Sequence, residues 1–143
     1  MASIFTRIIE GELPGRFVWR DERCVAFLSI NPLRPGHTLV VPIAEVDHWI
    51  DLEPDLAAHL MGVAQIIARA QQAAFSPVKV ALLTLGLEVP HTHLHLVPID
   101  HEADVHFEQA DPDPDPAALD DAADRIRVAL GNEPTAAGPS SVQ

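Results

Sequence analysis

Tyrosine is absent from the 143-residue chain, which removes one acid catalyst from consideration. Cysteine occurs once, as Cys24, so neither an internal disulfide nor a cysteine-rich zinc site can form. No apolar run approaches the roughly 20 residues that a membrane helix needs. The N-terminal stretch Met1-Ala2-Ser3-Ile4-Phe5-Thr6-Arg7 has no apolar run ending in a cleavage site, so no secretory signal is visible. Basic residues are missing from residues 100–124, which carry ten acidic side chains, whereas residues 1–99 hold seven basic and ten acidic. The net charge of −12 is therefore mostly local, and a chain with that field does not take up long nucleic acid. The nearly neutral first part leaves room for a small anion met by local donors. What is present, 48% apolar residues in one domain-sized chain, is enough for a hydrophobic core. The expectation is a soluble protein, most simply cytoplasmic.

Residues 16–20 and 24–30 read as two strands joined by the polar turn Asp21-Glu22-Arg23. Two prolines make residues 31–36 a loop, and residues 37–41 form a third strand closed by Pro42. Pro54 suits a first helical turn, and Leu56, Leu60, Val63, Ile67 and Ala70 recur at the spacing of one apolar face, so a helix is predicted over 54–74. Residues 78–85 are an apolar run that reads as a buried strand. Gly86-Leu87-Glu88-Val89-Pro90 is a bend, and residues 92–97 form a last strand stopped by Pro98. The order predicts an α+β fold: an antiparallel sheet of about five strands, one long helix packed on it, and a C-terminal helix. Proline at every second position of residues 111–116 makes them an extended linker, a solvated tether between a domain over 1–110 and a helix over 117–131. Residues 132–143 are expected to be a disordered tail.

Three of the eight histidines fall within five residues, in His91-Thr92-His93-Leu94-His95-Leu96-Val97. Side chains of a strand alternate faces, so His91, His93 and His95 share one face and Thr92, Leu94 and Leu96 the other, the leucines as core contacts. Three meanings fit the pattern. The face is solvated and carries imidazoles; or it supplies two ligands of a metal site; or one imidazole attacks phosphorus while its neighbours donate to the phosphoryl oxygens. Strict alternation disfavours the first, and local spacing does not separate the other two.

The wider sequence resembles the histidine triad (HIT) family, whose signature is three histidines alternating with mostly apolar residues. Three further segments match in order: Ser3-Ile4-Phe5-Thr6-Arg7-Ile8-Ile9-Glu10-Gly11-Glu12-Leu13-Pro14; then Ala26-Phe27-Leu28-Ser29-Ile30-Asn31-Pro32 with Pro35-Gly36-His37-Thr38-Leu39-Val40-Val41-Pro42; then the bend from Gly86 to Pro90 as a phosphate loop. The resemblance spans residues 3–99. It implies a HIT-like nucleotide-binding fold, usually a homodimer, that acts as a hydrolase or transferase at the α-phosphate of a nucleotide. A purine nucleoside phosphoramidate or related nucleotide is the expected substrate and partner, with no cofactor. His93 would correspond to the nucleophile, attacking through Nε2 to form a nucleotidyl-histidine that water resolves, with a backbone carbonyl on Nδ1–H fixing the tautomer. His91 and His95 would contact the phosphate or assist the leaving group. Phe5, Ile8, Leu13 and Ile30 fall where relatives form an apolar slot for the base, with ordinary core packing as the alternative for each.

The chain also departs from the family pattern. Ser29 stands where many relatives carry an aspartate for the ribose hydroxyls, and a serine makes one such bond rather than a charged two-point contact. Leu87 and Glu88 follow Gly86 in the phosphate loop, and a carboxylate at Glu88 would repel a phosphate if it pointed inward. Zinc-binding relatives take two cysteines and a histidine where this chain has Ser3, Thr6 and Glu45, and hydroxyls are poor zinc ligands. A zinc-less member of bacterial type is therefore expected, with no metal. His37, His48, His59, His101 and His106 have no partner at ligand spacing and read as structural or surface residues. Two other functions stay open: a nucleotide-binding protein with little catalysis, suggested by the altered loop, and a metal-dependent enzyme using His91, His93 and His95.

Overall fold

A computed structural model describes residues 1–132 of the chain. The expected tail lies, apart from Asn132, outside the described residues. The elements run α1 (Ile4–Ile9), β1 (Phe17–Arg20), β2 (Cys24–Leu28), β3 (Thr38–Pro42), α2 (Pro54–Phe75), β4 (Lys79–Leu83), β5 (Leu94–Ile99) and α3 (Pro116–Ala129), with short 3-10 turns at Trp49–Asp51, Glu102–Val105 and Phe107–Gln109. The five strands form one antiparallel sheet in the order β1-β2-β3-β5-β4. This is the α+β architecture that the residue pattern predicts.

Strand alternation sorts the side chains into two cores. On one face Cys24, Ala26 and Leu28 of β2, Val40 of β3 and Leu96 of β5 pack against Leu56, Leu60, Val63 and Ile67 of α2, and Ala122, Ala123 and Ile126 of α3 join the same cluster. On the other face Val25, Phe27, Leu39 and Val41 meet Phe5 and Ile8 of α1. The α1 helix is too short for a periodic signal. It is held by Ser3, whose Oγ accepts the Thr6 amide as an N-cap. The α2 helix ends at Ser76 in the left-handed conformation just before Pro77. One polar residue interrupts its buried stripe: the Gln71 Nε2 donates to the carbonyls of Gly36 and Leu96, tying α2 to the turn before β3 and to β5.

Two strand expectations need correction. The apolar run 78–85 is not buried in this chain. The β4 strand is an edge strand, with Leu82 44% exposed, because among the described residues no strand pairs beyond it. The last strand begins at Leu94 rather than Thr92 and continues through Pro98, which pairs in register with Val80. The β3 strand pairs with β5 only over Leu94–Leu96, so Pro98 lies past that ladder and its missing N–H breaks no bond there. The helix after the Asp-Pro stretch starts one residue early, with Asp115 as N-cap, and the Arg16–Asp120 ion pair links it to the N-terminal side of β1.

His59, expected to be structural or at the surface, binds the β1–β2 turn to α2 through Asp21 at 2.8 Å. Burial raises the Asp21 carboxyl, but bonds from Trp19, the Arg23 and Cys24 amides and His59 outweigh it and hold the group well below the usual carboxylate range. Burial and the Asp21 charge push the Cys24 thiol up to about 12, so it stays protonated and unreactive.

Candidate active site

The three histidines lie at the start of β5, on the sheet face that carries α1. Only His95 belongs to the strand; His91 and His93 sit in the extended approach to it. His93 is nevertheless stacked beside His95, ring centroids 4.9 Å apart, and Phe5 of α1 closes on His93 at 4.8 Å. The residues are 0%, 6% and 8% exposed in chain order.

Hydrogen bonds inside the protein fix the tautomers of His93, His37 and His95. The His91 carbonyl accepts from Nδ1–H of His93 at 2.7 Å, so Nε2 of His93 keeps its lone pair. His37 accepts the Leu33 amide at its Nδ1, which places its own proton on Nε2, and Nε2–H donates to Nδ1 of His95 at 2.9 Å. His95 must then carry its proton on Nε2. A lone pair on His93 therefore stands beside an N–H donor on His95, and neither Nε2 has a protein partner among the described residues.

Electrostatics keep all of this neutral. Burial, followed by the nearness of His95 and His93, pushes His37 down to about 3. Burial and the neighbouring His93 push His95 down to about 4. Burial also lowers His93, although its bond to the His91 carbonyl pulls the other way. At neutral pH the His93 lone pair is free to act.

The expected contact between the His91 side chain and a phosphate does not fit this geometry. Its Nε2 bonds the Pro42 carbonyl at 2.8 Å and its Nδ1 bonds Ser3 Oγ at 2.7 Å, so both ring nitrogens are spent inside the protein. His91 acts through its backbone carbonyl, which holds His93. Conversely, His37 is not merely structural: it sets the proton of His95. Its position directly before β3 gave no periodic signal, and the link spans 58 residues of sequence.

The remaining site residues divide. Phe5 and Ile8 form the small core under the histidines, with Leu13 packed against it. Ile30 stands 63% exposed on the loop after β2 and belongs to neither core. The Ser29 amide bonds the His37 carbonyl, which places Ser29 beside that histidine. Gly86 has φ +72°, a conformation that favours glycine, and it faces the backbone at Asp47. Glu88 is exposed at the surface. Ser3, Thr6 and Glu45 do converge with His91, but as a hydrogen-bonded network: the Glu45 carboxylate accepts from the Ser3 amide and from Thr6 Oγ1 at 2.7 Å. Two hydroxyls, one engaged carboxylate and one engaged imidazole do not suit zinc.

The HIT domain family model matches residues 10–102, and the chain belongs to that family. An uncharacterized HIT-like protein of Methanocaldococcus jannaschii is 35% identical over 99 residues, covering 66% of this chain and 77% of that protein. The adenylylsulfatase HINT3 of Arabidopsis thaliana is 29% identical over 100 residues, which cover 66% of this chain and 51% of HINT3. Among solved structures, a hypothetical histidine triad nucleotide-binding protein of Sulfolobus tokodaii superposes with a TM-score of 0.80 at 26% identity, over 90% of this chain and 91% of that one. No helix of the described residues is long and apolar enough to cross a membrane.

Proposed function

We propose that the protein is a nucleotide hydrolase acting at the α-phosphate of a purine nucleoside phosphoramidate or a related nucleotide, working as a homodimer. The observation that carries this is the pair of oppositely set imidazoles: a His93 Nε2 lone pair beside a His95 Nε2–H donor. A lone nucleophile would serve many reactions. A nucleophile next to a neutral donor suits phosphorus, where attack builds charge on the non-bridging oxygens. The nucleotide-binding and adenylylsulfatase names of two relatives support the substrate class.

In this reading the His93 lone pair forms an N–P bond as the P–N bond to the leaving amine breaks, and the amine takes its proton from water. His93 then carries both the nucleotidyl group on Nε2 and the proton on Nδ1, the latter held by the His91 carbonyl. His95 donates to a phosphoryl oxygen throughout. A second water attacks phosphorus, the N–P bond breaks, the nucleoside monophosphate leaves and a proton returns to solvent. Phe5, Ile8 and Leu13 form one side of the base slot, and the loop at Gly86 lies against the phosphate. Because Glu88 is exposed, its charge does not block that loop.

The exposed apolar edge at β4 supports the dimer, because a second copy would cover Leu82 and Val78, which are 44% and 68% exposed. Steady-state hydrolysis of adenosine 5′-phosphoramidate by the wild-type protein tests the activity. Release of the nucleoside monophosphate is expected. Tight binding of the nucleotide without turnover would instead establish a binding protein.

A further inference from the structure

We infer that Phe107 is a specificity-determining residue of the triad site, forming the wall against which the leaving group packs and selecting an aromatic body without negative charge. This rests on the hydrolase reading above. Four rings stand in a row. Phe5 meets His93 at 4.8 Å, His93 meets His95 at 4.9 Å, and His95 meets Phe107 at 5.2 Å with the planes at 76°. The reacting phosphoryl group lies between the two histidines, and the nucleoside takes the Phe5 end. The leaving group must depart on the other side, and the ring at that end is Phe107.

Folding does not account for Phe107. It belongs to neither hydrophobic core and is 39% exposed, on a 3-10 turn that buries no residue. Its segment is nonetheless pinned. Arg34 pairs with Asp100 and Asp104, Asn31 Nδ2 donates to the Asp111 carbonyl at 2.9 Å, and the Asp111 amide donates to the Pro32 carbonyl at 3.0 Å. The loop thus tethered also holds His37, and through it the proton of His95. A large ring left partly in water, yet fixed relative to the reacting imidazole, is placed to meet a ligand. Residues 100–111 carry five carboxylates, of which Arg34 answers two, so the field on that side opposes an anionic leaving group.

The test uses three amides of adenosine 5′-monophosphate, made with phenethylamine, methylamine and β-alanine, on wild type, Phe107→Ala and both in a His93→Ala background. In the His93→Ala protein, calorimetry should show the phenethylamide binding about tenfold more tightly than the methylamide, a preference that His93→Ala/Phe107→Ala reduces to about one. In turnover, Phe107→Ala should cut kcat/KM about tenfold for the phenethylamide and less than about threefold for the methylamide; comparing variants on one substrate cancels the intrinsic reactivity of each amine. The β-alanine amide should bind more weakly than the methylamide, by a margin that shrinks with added salt. Equal losses on phenethylamide and methylamide would reduce Phe107 to a prop for His95 and overturn the proposal. An unchanged preference, or parity of the β-alanine amide, would overturn it too. If wild type turns over none of the amides while the binding preference follows Phe107, the hydrolase reading fails and the specificity wall stands.

Discussion

At the scale of single residues, the account turns on which nitrogen carries a proton. His93→Ala removes the unengaged Nε2 lone pair of the triad, so the covalent route is lost and kcat should fall by several orders of magnitude, while nucleotide still binds. His93→Gly should regain part of the rate from added imidazole. His91→Ala leaves Ser3 Oγ and the Pro42 carbonyl without their buried partner, and His95→Ala leaves the buried His37 Nε2–H without its acceptor, so each should cost about 1–3 kcal/mol of stability as well as rate. The neutral imidazoles also set a pH dependence. In the unfolded chain His37 and His95 take up protons below about pH 6.5, whereas the folded protein refuses them until about 3 and about 4. Their depressed values leave stability intact above about 6.5 and erode it as pH falls towards 4, by about 1.4 kcal/mol per pH unit for each group. Urea unfolding at stepped pH should show that slope, and His37→Gln, which keeps a donor towards His95, should remove one group's share. An unchanged slope in His37→Gln would mean that His37 is charged in the fold. Strand alternation singled out the triad in the sequence, and the family resemblance, not the spacing, pointed to His93 within it. The spent ring of His91 and the relay through His37 were not, because both depend on carbonyls and amides that approach only after the sheet has formed.

At the scale of elements, the turn before β3 couples packing to chemistry. Gly36 has φ +89°, and a methyl group there would overlap the ring of Phe75 at the end of α2. Gly36→Ala should therefore cost about 2–4 kcal/mol, from left-handed strain and overpacking together. It should also reduce activity, because His37 follows directly and the Gly36 carbonyl is held by Gln71. A variant as stable and as active as wild type would show that this turn does not position the site. The edge strand β4 makes the second prediction of this scale. Leu82→Lys should convert a dimeric mass in light scattering to a monomeric one with the fold retained. A monomeric wild type would remove the dimer from the account. The long helix was legible from its apolar spacing, with its end misplaced by one residue. The short α1 was not, since its order comes from the Ser3 cap and from Phe5 and Ile8 meeting β2. The apolar run 78–85 read as buried because composition alone does not tell an edge strand from a central one, and β4 lies at the edge of the sheet.

At the scale of the whole molecule, two cores share one sheet and divide the labour. The larger, built by α2 and α3, supplies most of the buried apolar surface, while the smaller, under α1, carries the histidines at its rim. The negative charge is concentrated in the last third of the sequence. Because the Ser3, Thr6 and Glu45 network stands on hydrogen bonds, chelator treatment should leave melting temperature and activity unchanged; a large fall in melting temperature would show a structural metal. The fold class was legible from the order of the elements, and the family from the resemblance of its ordered segments, whereas the role of residues 100–111 was not, since only the folded chain brings Phe107 to His95. The most direct test of the central claim is an acid-quench trap: protein mixed with adenosine 5′-phosphoramidate labelled in the nucleoside, denatured within one turnover, and mapped by mass spectrometry. The account predicts label on the peptide containing His93 in wild type, acid-labile in the manner of a phosphoramidate, and none in His93→Ala. Turnover by wild type with no label on that peptide, or label that persists in His93→Ala, would contradict it.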